Sequence, residues 1–416
     1  MSRPVLRAAA ERVVWTYLDA RRDEVLEFAR KLIATPSPNP PGDERAVAQV
    51  VADKLAEFQV DDVVWLAQDE ARPNLIATIP GDGPGRRLIL SGHLDTKPAG
   101  DMDAWETDPW DPVLRDGELV GLGCGDMKAA VAGMVYAGGA LKANGGFSGE
   151  LVLVFTADEE AGSVMGSKWL AEQGHLAADV AVIGEPSGIV EEWEAVHVIS
   201  RGAALFKIRI TGTQMHSSIS DRIHGVNATV QMARLIERMD QEMKDYLTFE
   251  PHLLCPTGPT VNVGVMAEAG VFYGVYPGKA EFACDIRTLP GMTEESVSDD
   301  VQRFLDDAMA DEPELAAELV WELMVLATEI SSDEPIVEDL LTAANDVLGT
   351  TPAVDAFPGT TDAAAIQLTS GIPTVAAFGP GMLPRAHSPN EHMAAEGPAL
   401  AALIYGLAAL RYLKGV

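Results

Sequence analysis

The stretch Leu88-Ile89-Leu90-Ser91-Gly92-His93-Leu94-Asp95 decides how this chain reads. Leu88-Ile89-Leu90 is a short apolar run of the kind that a buried strand carries. His93 and Asp95 follow it two positions apart, and in extended backbone residues two apart point to the same side. An imidazole and a carboxylate at one strand end pair a metal ligand with a partner for its second nitrogen. Taken singly the pair carries little, because a histidine after a strand more often packs or caps.

Four further clusters give it weight, three of them directly after another apolar run. Gly121-Leu122-Gly123-Cys124-Gly125-Asp126-Met127-Lys128 is a glycine-rich loop that opens a helix. Leu151–Thr156 reads as a strand and runs into Ala157-Asp158-Glu159-Glu160. Val180–Ile183 runs into Gly184-Glu185-Pro186, and Thr374–Phe378 is followed by Gly379-Pro380-Gly381 and then Arg385-Ala386-His387-Ser388. Ligand sites in open α/β sheets gather outside the carboxyl ends of the strands. Repetition at strand ends therefore outweighs the ordinary readings, in which Asp126 is a helix N-cap and Glu159-Glu160 a solvated loop.

Working outward, an amphipathic helix is expected over about Asp19–Ile33 and a second over Glu44–Phe58, followed by strands at Val63–Leu66, Asn74–Ile79 and Arg87–Leu90. Strands and helices then alternate up to Glu185, which predicts an α/β fold with a mostly parallel, helix-covered sheet. From His197 the pattern changes. Strands at Ala203–Thr211, Thr260–Met266, Lys279–Arg287 and Leu319–Ala327, with helices near Gly225–Leu247 and Thr293–Met309, predict an inserted ferredoxin-like α+β domain. The first pattern returns with a helix at Pro335–Leu348, one at Asp362–Thr369 and a last one near Pro398–Leu413. The expected domains are residues 1–196 with 330–416, and 197–329.

The chain has 416 residues and a net charge of −33, which argues against nucleic acid and anionic membrane surfaces as partners. Its three cysteines, Cys124, Cys255 and Cys284, are odd in number and far apart, so a reducing compartment is expected. Met1-Ser2-Arg3-Pro4 leads into charged sequence without an apolar signal core, and the cytoplasm is the expected location.

His93, Asp126, Glu160, Glu185 and His387 offer two imidazoles and three carboxylates. Nitrogen and oxygen donors without thiolate suit zinc, cobalt or manganese in an open site. Five ligands are too many for one open catalytic ion but fit two if Asp126 bridges. Glu159, beside the ligand Glu160, is then left to take a proton from water as a general base. Asp95 is placed to hold the second nitrogen of His93.

These motifs closely resemble the dinuclear metallohydrolases that include acetylornithine deacetylase, succinyl-diaminopimelate desuccinylase, the glutamate-releasing carboxypeptidases and the aminoacylases. Ser91–Thr96, Gly123–Lys128, Thr156–Glu160, Gly184–Ser187 and Ala386–Glu391 look like that family's five site motifs, in order. The resemblance implies two divalent ions, zinc foremost with cobalt or manganese as alternatives, bridged by Asp126, with Glu159 as base and an amide as substrate. It makes the inserted domain a lid and dimerisation domain. His216, in Gln214–Ser218, resembles the histidine that polarises the scissile carbonyl, often from the partner subunit. Asn262 and Arg287 resemble lid residues that hold substrate, Arg287 by its carboxylate. Gly359 and Thr360 stand in the matching Gly-Thr-Thr-Asp motif. The chain departs from the common pattern at Leu122, where arginine is frequent, and at Gly274, where asparagine is frequent.

The expected function is hydrolysis of an N-acyl amino acid or similar small carboxylate, of the deacetylase or desuccinylase kind. A dipeptidase or carboxypeptidase with the same site is the alternative. A non-catalytic binding protein on the same fold comes third, since it has no need of Glu159. The expected partners are a small-molecule N-acyl amino acid or dipeptide, no nucleic acid, no membrane, and a second copy forming a homodimer through the lid.

Overall fold

The computed structural model of the chain describes residues 8–414; the opening Met1-Ser2-Arg3-Pro4 lies outside the described residues. The apolar runs become the central strands of a six-stranded sheet. Its order is Val63–Leu66, Asn74–Pro80, Glu150–Thr156, Arg87–His93, Val180–Ile183 and Thr374–Val375. The first two junctions are antiparallel, and the three from Glu150–Thr156 onward are parallel. Leu88–Leu90 and Leu151–Phe155 are buried throughout, as strands covered on both faces must be.

The helices Ala129–Asn144 and Gly397–Lys414 pack against each other and are buried on nearly every side. A Cβ on Gly133 would stand 2.7 Å from that of Ala401, so a small residue is needed for their close approach. The helix expected over Asp19–Ile33 forms as Arg22–Ile33, because the chain breaks at Arg21 (φ −116°, ψ 17°), and a further helix, Ala9–Asp19, precedes it. Val14 and Leu18, one turn apart, bury the face of this preceding helix. The strand expected over Thr374–Phe378 is regular at Thr374–Val375, which pairs with Val180–Ile183, and beyond it Ala377 forms a single bridge to His197.

The chain divides into two compact units. The first takes the chain up to Ser200, Glu329–Phe357 and the chain from Thr361. The second is Arg201–Thr328 with Pro358–Thr360. The exchange falls a few residues from the expected 196/197, because Ala195–Ser200 is a single strand paired in parallel with Ala353–Phe357 of the first unit.

The second unit runs strand Gly202–Thr211, helix Ala228–Tyr246, strands Thr260–Ala269 and Lys279–Thr288, helix Glu294–Asp311 and strand Ala317–Val325. Spatially the strands are second, third, first, fourth, all antiparallel, which is the ferredoxin-like arrangement. Alternation assigns the faces: Phe206, Ile208, Ile210, Phe282, Cys284 and Ile286 are buried, while Lys207 and Arg209 remain half-exposed. Between Thr260–Ala269 and Lys279–Thr288 the chain makes a longer excursion, in which Val275–Tyr276 pairs with Met215–His216. The protein is thus an α/β chain with a mostly parallel, helix-covered sheet and an inserted ferredoxin-like unit. Among the described residues no helix is long and apolar enough to cross a membrane.

Candidate metal centre

Parallel register builds the site. His93 ends its strand opposite Thr156, and Ser91 pairs with Ile183, so His93, Glu159, Glu160 and Glu185 emerge at one sheet edge. Asp126 comes from a wide turn, Cys124–Lys128, ahead of the helix Ala129–Asn144. Its backbone (φ −122°, ψ 90°) lies inside that turn, so it does not cap the helix. Gly123 permits the turn: its φ is +79°, and a Cβ there would stand 2.5 Å from Thr96 Cγ2. His387 also sits in left-handed backbone, at φ 58°.

The five expected ligands converge around Asp126. One of its oxygens, Oδ1, lies 2.9 Å from His93 Nε2, and the other, Oδ2, lies 3.0 Å from His387 Nε2. Glu185 Oε1 joins the first side, 3.6 Å from His93 Nε2. Glu160 Oε2 joins the second, 3.1 Å from His387 Nε2. His93 Nδ1 donates to the Asp95 carbonyl at 3.0 Å, which directs Nε2 into the cluster as a lone-pair donor. Glu159 opens on the same space, with a carboxylate oxygen within 4.8 Å of a ring nitrogen of His93 and a carboxylate oxygen of Glu185.

Asp95 does more than the sequence indicated. Its carboxylate is 3.5 Å from His93 Nδ1, farther than its own carbonyl. Instead it accepts from the amides of Glu159 (3.2 Å) and Glu160 (3.1 Å), and so aims both glutamates. Asn39 donates to Asp95 at 2.8 Å and to Asp158 at 3.1 Å. Arg72 then bridges Asp158 (2.9 Å) and the fully buried Glu44 (2.7 Å). On the far side Asp362 accepts from the hydroxyls of Ser163, Ser167 and Thr156.

Burial pushes the Glu159 and Glu185 carboxyls well up, and neighbouring carboxylates add to the effect. Burial disfavours charge on His387, yet its bonds to Asp126 and Glu160 raise it to about 10. Burial likewise opposes charge on His93, and its contacts with Asp126 and Asp95 raise it. Asp126 is held down, against the cost of burial, by its two imidazole partners. A cluster of carboxylates facing two imidazole nitrogens fits divalent cations: the donors are nitrogen and oxygen, no thiolate takes part, and Asp126 presents one oxygen to each side.

Residues 89–413 match the model of peptidase family M20/M25/M40. The chain belongs to this family. Family membership makes it a hydrolytic enzyme. It is 30% identical to a succinyl-diaminopimelate desuccinylase of Parvibaculum lavamentivorans over 355 residues, covering 82% of this chain and 85% of the relative. It is also 30% identical to an acetylornithine deacetylase of Myxococcus xanthus, over 78% of this chain and 80% of that one. Among solved structures, a di-peptidase of Saccharomyces cerevisiae shares the fold, with a TM-score of 0.74 and 17% identity over 98% of this chain and 99% of that one.

The other expected site residues of this M20/M25/M40 peptidase chain lie in the second unit. His216 is exposed, and its Nδ1 accepts from the amide (3.2 Å) and hydroxyl (2.8 Å) of Ser218, which leaves Nε2 outward. Asn262, also exposed, donates to the Asp285 carbonyl at 3.3 Å. Arg287 pairs with Asp285 at 2.8 Å, so its fork is partly engaged. Gly359 and Thr360 are half-buried in the loop after Phe357.

Three groups at the site were not singled out from sequence. Lys97 continues the alternation His93, Asp95, Lys97; its amide donates to Glu160 Oε1 (2.9 Å) and its ammonium lies 3.2 Å from Glu160 Oε2. That period was the available signal. Glu391 accepts from the turn that carries Asp126. Arg72 carries no local signal, because its partners lie 28 and 86 residues away.

Proposed function

We propose that the chain hydrolyses the amide bond of an N-acyl amino acid or similar small carboxylate. The observation that carries this reading is the Asp126 carboxylate set between two imidazoles, with one glutamate on each side and Glu159 beside them. His93, Glu185 and Asp126 would hold one divalent ion, and Asp126, Glu160 and His387 a second, with zinc foremost and cobalt or manganese as alternatives. Such ions supply a Lewis acid and bring the pKa of a water to about 7. The chain's own residues do the rest. Glu159 takes the proton of the attacking water and hands it to the leaving nitrogen. Asp95 anchors the backbone of Glu159 and Glu160 by accepting from both amides.

The two curated relatives, named for removing succinyl and acetyl groups, favour deacylation over dipeptide cleavage. A screen of N-succinyl, N-acetyl and N-formyl amino acids against dipeptides decides between them. Metal content is the prior test. Elemental analysis and an anomalous map of the zinc-loaded protein are expected to give two ions about 3.5–4 Å apart. A single ion under zinc excess would defeat the reading.

His216, by the same reading, stabilises the oxyanion in the partner's site of a homodimer formed through the second unit, and Asn262, Arg287, Gly359 and Thr360 contact substrate. The enzyme is taken to work in the cytoplasm. Removing one oxyanion donor costs about 10²–10³ in kcat. Inactive Glu159→Ala and His216→Ala subunits, mixed and allowed to exchange, are expected to regain activity, because one site of the mixed dimer then carries neither lesion. No recovery despite demonstrated exchange excludes action across the interface.

A further inference from the structure

We infer that Glu391 is a positioning residue of the metal centre, one carboxylate that ties the segment carrying Asp126 to the segment carrying His387. The inference rests on the metal reading above and concerns how the ligands are held.

Glu391 is 2% exposed and lies four residues after His387. Its Oε2 accepts from the Gly123 amide at 3.0 Å. Its Oε1 accepts from Gly125 at 2.8 Å and Asp126 at 3.2 Å. Its own carbonyl accepts from the Gly121 amide at 3.0 Å. The turn that presents Asp126 is therefore gripped at four amides by a single residue of the His387 segment. Three of those amides precede or begin a helix and have no partner inside it. A buried donor left without a partner costs about 1–3 kcal/mol, so the turn depends on this carboxylate for its conformation.

The consequence is geometric. Asp126 presents one oxygen to each imidazole, and its aim is set by the backbone of the turn. His387 rides on the segment whose far end is Glu391. Loosening this clamp moves the shared ligand and one terminal ligand together, so both metal positions weaken. Residues that orient metal ligands typically cost about 10–100-fold in metal affinity or activity when replaced.

The test uses the full chain with Zn2+ alone as probe, titrated in competition with a chromophoric chelator. Glu391→Ala removes both side-chain acceptor oxygens and with them three hydrogen bonds. Glu391→Gln keeps shape and one acceptor oxygen, and guards against a variant that does not fold. Both are expected to lose about 10–100-fold in Zn2+ affinity at both positions, with Glu391→Gln less affected, and the Co2+-loaded variants are expected to show an altered visible spectrum. Zn2+ affinity equal to wild type in folded Glu391→Gln and Glu391→Ala overturns the inference. A melting temperature that falls equally with and without Zn2+, at unchanged affinity, makes Glu391 a support of the fold alone and also overturns it. A wild-type chain that binds no Zn2+ sinks the metal reading instead, so the two failures are told apart.

Discussion

Glu159→Gln is expected to lower kcat by about 10²–10⁴-fold while the protein keeps its full metal content. The expectation follows from where the two adjacent glutamates point. Glu160 is buried, faces His387 and is gripped at its other oxygen by the Lys97 amide. Glu159 is half-buried, and among the described residues no donor bonds its carboxylate, although Asp95 anchors its amide. It is thus aimed without being used. Burial, with Asp362, Glu160 and Asp126 nearby, pushes its carboxyl up against the opposing pull of His93. A base raised towards the working pH is the better proton shuttle. Steady-state kinetics with elemental analysis on the same preparation is the check. Near-normal kcat in the variant removes Glu159 from the chemistry. Loss of metal together with activity would make it a ligand instead.

Arg72→Met is expected to cost about 3–5 kcal/mol of stability, the usual consequence of removing one partner from a buried ion pair. Arg72 is buried between Glu44 and Asp158, both buried carboxylates. Burial pushes Glu44 up to about 7 even with Arg72 opposing. Gly42 makes room for the guanidinium: it has a φ of +78°, and a Cβ there would lie 2.2 Å from Arg72 Cζ. Methionine retains the aliphatic bulk and removes the charge, which isolates the electrostatic part. Urea unfolding of metal-free protein measures it. A loss under about 1 kcal/mol would mean the pair behaves as an exposed one. The same variant is expected to be slower, because Asp158 holds Asn39 and Asn39 holds the Asp95 that aims Glu159.

Much of the fold was legible because it follows from local rules. Apolar runs marked the central strands, and alternation in Ala203–Thr211 separated the buried Phe206, Ile208 and Ile210 from the outward Lys207 and Arg209. The helix Ala9–Asp19 escaped notice because its buried stripe is only Val14 and Leu18 with Glu11, too thin to stand out among the charges around it. The edge of the inserted unit was misplaced by a few residues because Ala195–Ser200 is held by a partner more than 150 residues later, Ala353–Phe357.

The sequence by itself determined which residue types follow the strands, and it is on those that His93, Asp126, Glu160, Glu185 and His387 are proposed as one donor set. Strand alternation and the carboxyl-end rule act over a few residues, so they can be read along the chain. Only the tertiary structure decided how those donors are held. Asp95 grips the Glu159 and Glu160 amides, Arg72 joins Glu44 to Asp158, and Glu391 closes on the Asp126 turn from 265 residues away. Buried polar groups must find partners wherever folding brings them. Those partners are set by three-dimensional packing, and spacing in the chain carries no trace of it.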